Sequence, residues 1–220
     1  MIGLYNICID PGHGGVEKGG VVKHDGLIVK EKDINLIISL LTKRYQHALA
    51  GNSAIDSFLI RDIDSGAPLE TRIECINYFK IDALISIHCN IGVRGGKDLK
   101  TAMDHIPGPN GFEIFHYPRS REGKKLALIL EKHMLNTPIK TSRGVKPSRS
   151  LAILKDTKMP AVLLELGFMT NPNDIKKLLN PSVQIKIAKN IAKGMIEYAK
   201  ETLGRDYGMS SRSKDTLCIN

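Results

Sequence analysis

Short apolar runs alternate along the chain with longer stretches in which apolar residues recur every three or four positions. Ile7-Cys8-Ile9 is the first run and ends at Asp10-Pro11-Gly12-His13-Gly14-Gly15, where proline and three glycines predict a sharp loop after a strand. Lys18 to Lys30 is polar with interspersed glycines and reads as a surface loop. From Glu31 the spacing of Ile34, Leu36, Ile37, Leu40 and Leu41 predicts a helix to about Ala48. Phe58-Leu59-Ile60 predicts a second strand, and Pro68 to Phe79 a second helix with proline in its first turn. Ala83 to Ile87 predicts a third strand, ending at His88-Cys89-Asn90. Further strands are expected at Gly111–Phe115, Leu151–Leu154 and Ala161–Glu165. Helices are expected at Glu122–Leu135, after Asn171-Pro172, and at Val183–Leu203.

Strands alternating with helices predict an α/β fold: a single domain whose mostly parallel, mixed central sheet has helices on both faces. The chain has 220 residues, suited to one such domain, and neither a linker nor an internal repeat interrupts it. We expect the domain over residues 1–203 and a polar, loosely held tail over 204–220.

Composition narrows the class. The 42% apolar share can bury a core, which excludes a disordered chain. No apolar run approaches the ~18 residues of a spanning helix, so no membrane span is expected. The four cysteines contain no CxxC pair, and buried free thiols are the expectation. Thirty-two Lys+Arg against 23 Asp+Glu leave a net charge of +9, which predicts an anionic partner or substrate surface. With five Phe, six Tyr and no Trp there is no stacking cluster in basic surroundings, so nucleic acid is not the expected partner.

Candidate chemistry gathers at strand ends. In an α/β sheet, groups beyond the carboxyl ends of the strands line the crevice where ligands bind. That rule brings His13, His88 and Glu165 to one edge, and Glu31 opens the helix that follows the His13 loop. Two histidines and a carboxylate form a catalytic zinc set with an open fourth position. A further carboxylate can move a proton from the attacking water to a leaving amine, so the bond broken would be an amide. Glu165 is the least ordinary of the four, because a carboxylate between Leu164 and Leu166 is costly without a partner. The alternative of a phosphate cradle fails: the Gly12 loop lacks the third glycine of GxGxxG, and the chain has no GxxxxGK[ST].

These residues sit in a recognisable series: Ile9-Asp10-Pro11-Gly12-His13-Gly14-Gly15, Glu31-Lys32-Asp33, Ser86-Ile87-His88-Cys89-Asn90, and Leu163 to Asn171. The series resembles the zinc-dependent N-acetylmuramoyl-L-alanine amidases of cell-wall turnover, sporulation and phage lysis. Arg61-Asp62, Gly111-Phe112-Glu113 and Arg143-Gly144-Val145-Lys146 extend the likeness, which covers about residues 5–200. The resemblance implies that His13, Glu31 and His88 bind one Zn2+ and that Glu165 is the catalytic acid/base. It implies a peptidoglycan substrate, cut at the amide between the lactyl group of N-acetylmuramic acid and L-alanine of the stem peptide. The alternatives are a zinc peptidase or deacylase on another amide, and a non-catalytic wall-binding module of the same fold.

Departures and charge add detail. Cys89 stands where the family usually has alanine after the second zinc histidine. Its position on the strand predicts that it points to the opposite face and packs in the core. Some relatives carry a long insertion with a plugging helix at this point. The roughly twenty residues between Asn90 and Gly111 predict no plug and no requirement for an activator protein. Arg119 to Arg149 holds nine Lys/Arg and two acids, which suggests contact with anionic wall polymers or stem-peptide carboxylates. Arg143, Lys146 and Asn90 are the candidate substrate-binding residues. The family's substrate lies outside the cytoplasmic membrane, yet Met1–Asn6 does not read as a signal peptide. Holin release, mother-cell lysis or loss of a leader are the expected routes.

Overall fold

The computed structural model describes residues 4–51, 53–92 and 108–212. The apolar runs form strands β1 (Tyr5–Pro11), β4 (Ile55–Leu59), β5 (Ala83–Asn90), β6 (Phe112–His116) and β8 (Ala161–Phe168). With β7 (Ser142–Pro147) they make a six-stranded sheet of order β4-β1-β5-β8-β6-β7. Only the β6–β8 ladder is antiparallel, so the sheet is mixed and mostly parallel. The expected α/β architecture is borne out.

Strand alternation sorts side chains into two layers. Ile7, Ile9, Ile85, Ile87, Leu164 and Ile114 belong to the larger core cluster. They are covered by α1 (Glu31–Ala50), α3 (Arg121–Met134) and α6 (Pro181–Arg212). Cys8, Leu84, Ala161 and Leu163 belong to a smaller cluster on the other face, with Ile76 of α2 (Leu69–Tyr78) and Ile153 and Leu154 of α4 (Ala152–Lys155). The short α5 (Pro172–Leu178) follows β8 and is capped by Asn171, whose side chain accepts from the backbone N–H groups of Asn173 and Asp174.

Three segments differ from the sequence expectation. Lys18–Lys30 contains a hairpin, β2 (Val21–His24) with β3 (Leu27–Lys30). Its two-residue turn is Asp25-Gly26, with φ of +48° and +80°, the left-handed pair that such a turn needs. Leu151–Leu154 is not a strand; its last three residues lie in the helical turn α4, because a four-residue apolar run fits a buried turn as well as a strand. The edge strand is instead the basic stretch Ser142–Pro147, paired parallel with β6. Its polar composition suits a strand with one unpaired side and hides it from pattern reading. In addition, α6 continues through Gly204 to Arg212, so the start of the expected tail is helical. Residues 93–107, where a plug was weighed, lie outside the described residues.

Candidate active site

Strands β1, β5 and β8 are neighbours running the same way, so their carboxyl ends share one edge. His13 lies in the loop after β1, and its φ of +61° is strained for a non-glycine residue. His88 lies near the end of β5, in register with Glu165 on β8. Glu31 is the first residue of α1 and follows directly on the last residue of β3. A carboxylate in a helix's first turn is favoured by the helix dipole. Gly12 is required by packing: a Cβ there would lie 2.3 Å from the His88 ring.

Three of the four expected residues, His13, Glu31 and His88, come together in one cluster, and Glu165 lies beside His88 on the neighbouring strand. One nitrogen each from His13 and His88 and one oxygen of Glu31 lie within 4.8 Å of one another. The two rings stand edge to face, with centroids 4.9 Å apart. Glu31 Oε2 is 3.2 Å from His13 Nε2, and Oε1 is 2.9 Å from His88 Nδ1. Backbone N–H groups of Gly20 and Cys89 donate to the same carboxylate, as does Asn35 Nδ2. Two imidazoles and a buried carboxylate, held by outer hydrogen bonds, fit a zinc-type cation in donor set and spacing. Cys89 points away into the larger core, as expected, and burial pushes its thiol well above the ordinary range.

The charges in the cluster reinforce one another. Burial works against the Glu31 carboxylate, but hydrogen bonds from His13 and His88 outweigh it and hold the carboxyl far below its usual range. Burial likewise lowers His88, yet Glu31 beside it, with Glu165 and Asp10, brings the net shift upward. Glu165 is different. It is partly buried, its Oε2 is buried without a hydrogen-bond partner among the described residues, and burial pushes its carboxyl up to about 7. His88 opposes that rise; Glu31 and Glu113 add to it.

Sequence reading quotes Asp10, Arg61 and Ser86 as motif residues but misses Arg72 and the way these residues hold the His13 loop. Arg72 is buried and donates to Asp10 Oδ1 at 2.8 Å, to the Pro11 carbonyl and to the His13 carbonyl. Arg61 donates to the carbonyls of Pro11 and Gly12, and Ser86 Oγ donates to Asp10 Oδ2. A cleft of about 270 Å³ opens beside the cluster, lined by His13, His88, Leu69, Arg72, Leu151 and Leu163. The candidate substrate residues gather elsewhere on the same edge. Arg143, Lys146 and Asn90 all contact Glu113.

Residues 7–197 match the family model of the N-acetylmuramoyl-L-alanine amidases. The chain belongs to that family. It is an enzyme of the amidase type, cleaving the amide between N-acetylmuramic acid and L-alanine in peptidoglycan, and the peptidase and binding-module alternatives fall away. The germination-specific N-acetylmuramoyl-L-alanine amidase of Bacillus subtilis is 28% identical over 207 residues, covering 89% of this chain and 80% of that protein. The endolysin of Bacillus phage SPP1 is 30% identical over 203 residues, covering 87% of this chain and 65% of that protein. The solved amidase of Clostridium difficile 630 superposes with a TM-score of 0.76 at 27% identity, covering 90% of this chain and 97% of that one. No helix among the described residues is long and apolar enough to cross a membrane.

Proposed function

We propose that His13, Glu31 and His88 hold one zinc ion and that Glu165 is the amidase's acid/base. When bound, zinc supplies a more acidic water and a polarised amide carbonyl. Glu165 takes one proton from the attacking water as its oxygen joins the lactyl carbonyl carbon. The carbon–nitrogen bond then breaks, and Glu165 passes the proton to the departing alanine nitrogen. The products are a lactyl carboxylate and a free amino end on alanine. A carboxyl near neutrality suits a group that must both take and return a proton. Glu31, held by three N–H donors, is fixed as a ligand and has no freedom to serve as the base.

The carrying observation is the buried Oε2 of Glu165, without a hydrogen-bond partner among the described residues, on the strand next to the two-histidine, one-carboxylate cluster. The test is a Glu165→Gln variant: it should retain stoichiometric zinc and lose turnover on purified wall. Loss of zinc together with turnover would assign Glu165 to the metal site instead. Residues 1–203 are proposed as the catalytic unit, with the wall as its place of action and no activator needed. Its basic surface is read as drawing it towards anionic wall polymer.

A further inference from the structure

Glu113 lies directly across from Glu165 in the β6–β8 ladder, so both side chains stand on the face that carries His88. It is buried, with its side chain only 7% exposed. Its Oε1 accepts from Asn90 Nδ2 at 2.7 Å, and its Oε2 takes Arg143 Nε at 3.1 Å together with the Lys146 ammonium. One buried carboxylate thus anchors two cations, and the group keeps a net charge of +1. Both cations remain open to solvent, at 36% and 37% side-chain exposure. Each also lies on an aromatic ring, Arg143 over Phe168 and Lys146 over Phe115, which further limits its rotamers.

The Arg143 fork is only partly used. Nε goes to Glu113, while Nη1 and Nη2 have no hydrogen-bond partner among the described residues. A guanidinium with its terminal pair free presents two parallel donors that match a carboxylate. A buried acid beneath it fixes the direction of that pair and lowers the entropy lost on binding. Neighbouring strands lie ~4.8 Å apart, so β7 is roughly 10 Å from β8 across the sheet. An extended peptide advances ~3.4 Å per residue and covers that span in about three residues.

The geometry points to a carboxylate receptor formed by Arg143 and Lys146, with Glu113 as its positioning residue, which recognises a free carboxylate within about three residues of the scissile amide on the stem peptide. This reading rests on the amidase assignment of Glu165 and extends it to substrate choice. Asn90, expected as a substrate contact, donates its amide to Glu113 and so braces the same acid.

The experiment uses the zinc-loaded full chain and two synthetic muramoyl tripeptides whose C-terminal carboxyl is amidated, one with a free carboxylate at the second residue and one with a carboxamide there. Wild type should favour the acid by roughly tenfold or more in kcat/KM, carried by KM. Arg143→Ala and Glu113→Gln should erase that preference by raising KM for the acid, which brings its kcat/KM down to that of the carboxamide. Equal losses on both substrates would reduce the cluster to a structural role and overturn the proposal, as would a wild type blind to the difference. Calorimetric titration of the Glu165→Gln protein with the same two compounds reads recognition without turnover. Tighter binding of the acid there upholds the receptor even if Glu165 proves not to be the acid/base. Equal binding of acid and amide sinks the receptor whatever Glu165 does. Arg143 is partly exposed, so its alanine variant should fold even if Glu113→Gln does not, and a normal melting curve checks this.

Discussion

On one face of the central sheet, Ile7, Ile9, Ile85, Ile87, Leu164 and Ile114 lie fully buried beneath α1, α3 and α6. On the other face, the residues that alternate with them include Asp10, Ser86, His88, Glu165 and Glu113, and the covering helices are the short α2 and α4. The same four strands build both rows. Period-two alternation turns each strand into an apolar support and a chemical rail at once. The polar row sits only towards the edge where β1, β5 and β8 end; further back the same face is closed by Cys8, Leu84 and Leu163. The rail is therefore held rigid by a dry core one strand thickness away. Glu31 links the layers, since α1 packs on the apolar face while its first residue reaches round to His88.

The sharpest way to test this division is to compare Glu165→Gln with Leu130→Ala. The first should cost about 10²–10⁴ in kcat, the range for a positioned acid/base, with the melting temperature of the zinc-loaded protein little changed. The second removes a fully buried side chain from α3 in the larger core. It should cost about 2–5 kcal/mol of stability in a denaturant titration, with kcat of the folded fraction intact. If Leu130→Ala lowered kcat as much as Glu165→Gln at a temperature where it is fully folded, the two faces would not be separable.

How much of this was legible in the sequence follows the same division. The strands of the apolar face announce themselves through runs such as Ile7-Cys8-Ile9 and Ala83 to Ile87. His13 and His88 were found because each follows the end of an apolar run, Glu31 because it opens a helix, and Glu165 because it breaks a run with a charge. What stayed hidden depends on pairing between distant segments. Glu113 stands in a stretch that extends the family likeness, but its partners appeared only when β7 and the end of β5 brought Arg143, Lys146 and Asn90 to it. Arg72 lies in an unremarkable helix, 62 residues from Asp10, and only the folded chain shows it clamping the His13 loop. The strand β7 was invisible for another reason: an edge strand has no need of apolar alternation.

The polar face should also carry a measurable cost in stability. Glu165 ordinarily titrates near 4.5 and is pushed up to about 7 in the fold. Between those values the folded metal-free protein holds a proton that the unfolded chain has released. Stability therefore falls as pH rises through that window, by at most about 3 kcal/mol and less where the partly open site is screened. Above pH 7 the metal-free Glu165→Gln protein should be the more stable of the two, and below pH 4.5 the difference should vanish. Chemical denaturation at pH 4, 6 and 8 in the presence of a chelator measures it. A gap that is independent of pH would mean that the variant acts through packing, not charge. Zinc binding should oppose the effect, because a nearby cation favours the carboxylate.

The smallest expected effect lies at the β2–β3 hairpin, which belongs to neither row but delivers Glu31 to its place. Val22 and Val29 pack onto the larger core, and the backbone N–H of Gly20, just ahead of the hairpin, donates to Glu31 Oε2. The turn itself is remote from both contacts. Gly26 has a φ of +80°, and a Cβ built on it meets nothing within 4 Å, so Gly26→Ala carries a backbone penalty alone. That penalty is about 1–2 kcal/mol for a left-handed residue. If the hairpin is anchored by its valines, the cost should appear as a small loss of stability with zinc affinity unchanged. If instead the turn sets the position of Glu31, the same substitution should weaken zinc binding by more than its effect on the melting temperature would predict. Measuring both on one variant therefore decides whether the Glu31 ligand is placed by the turn or by the core beneath it.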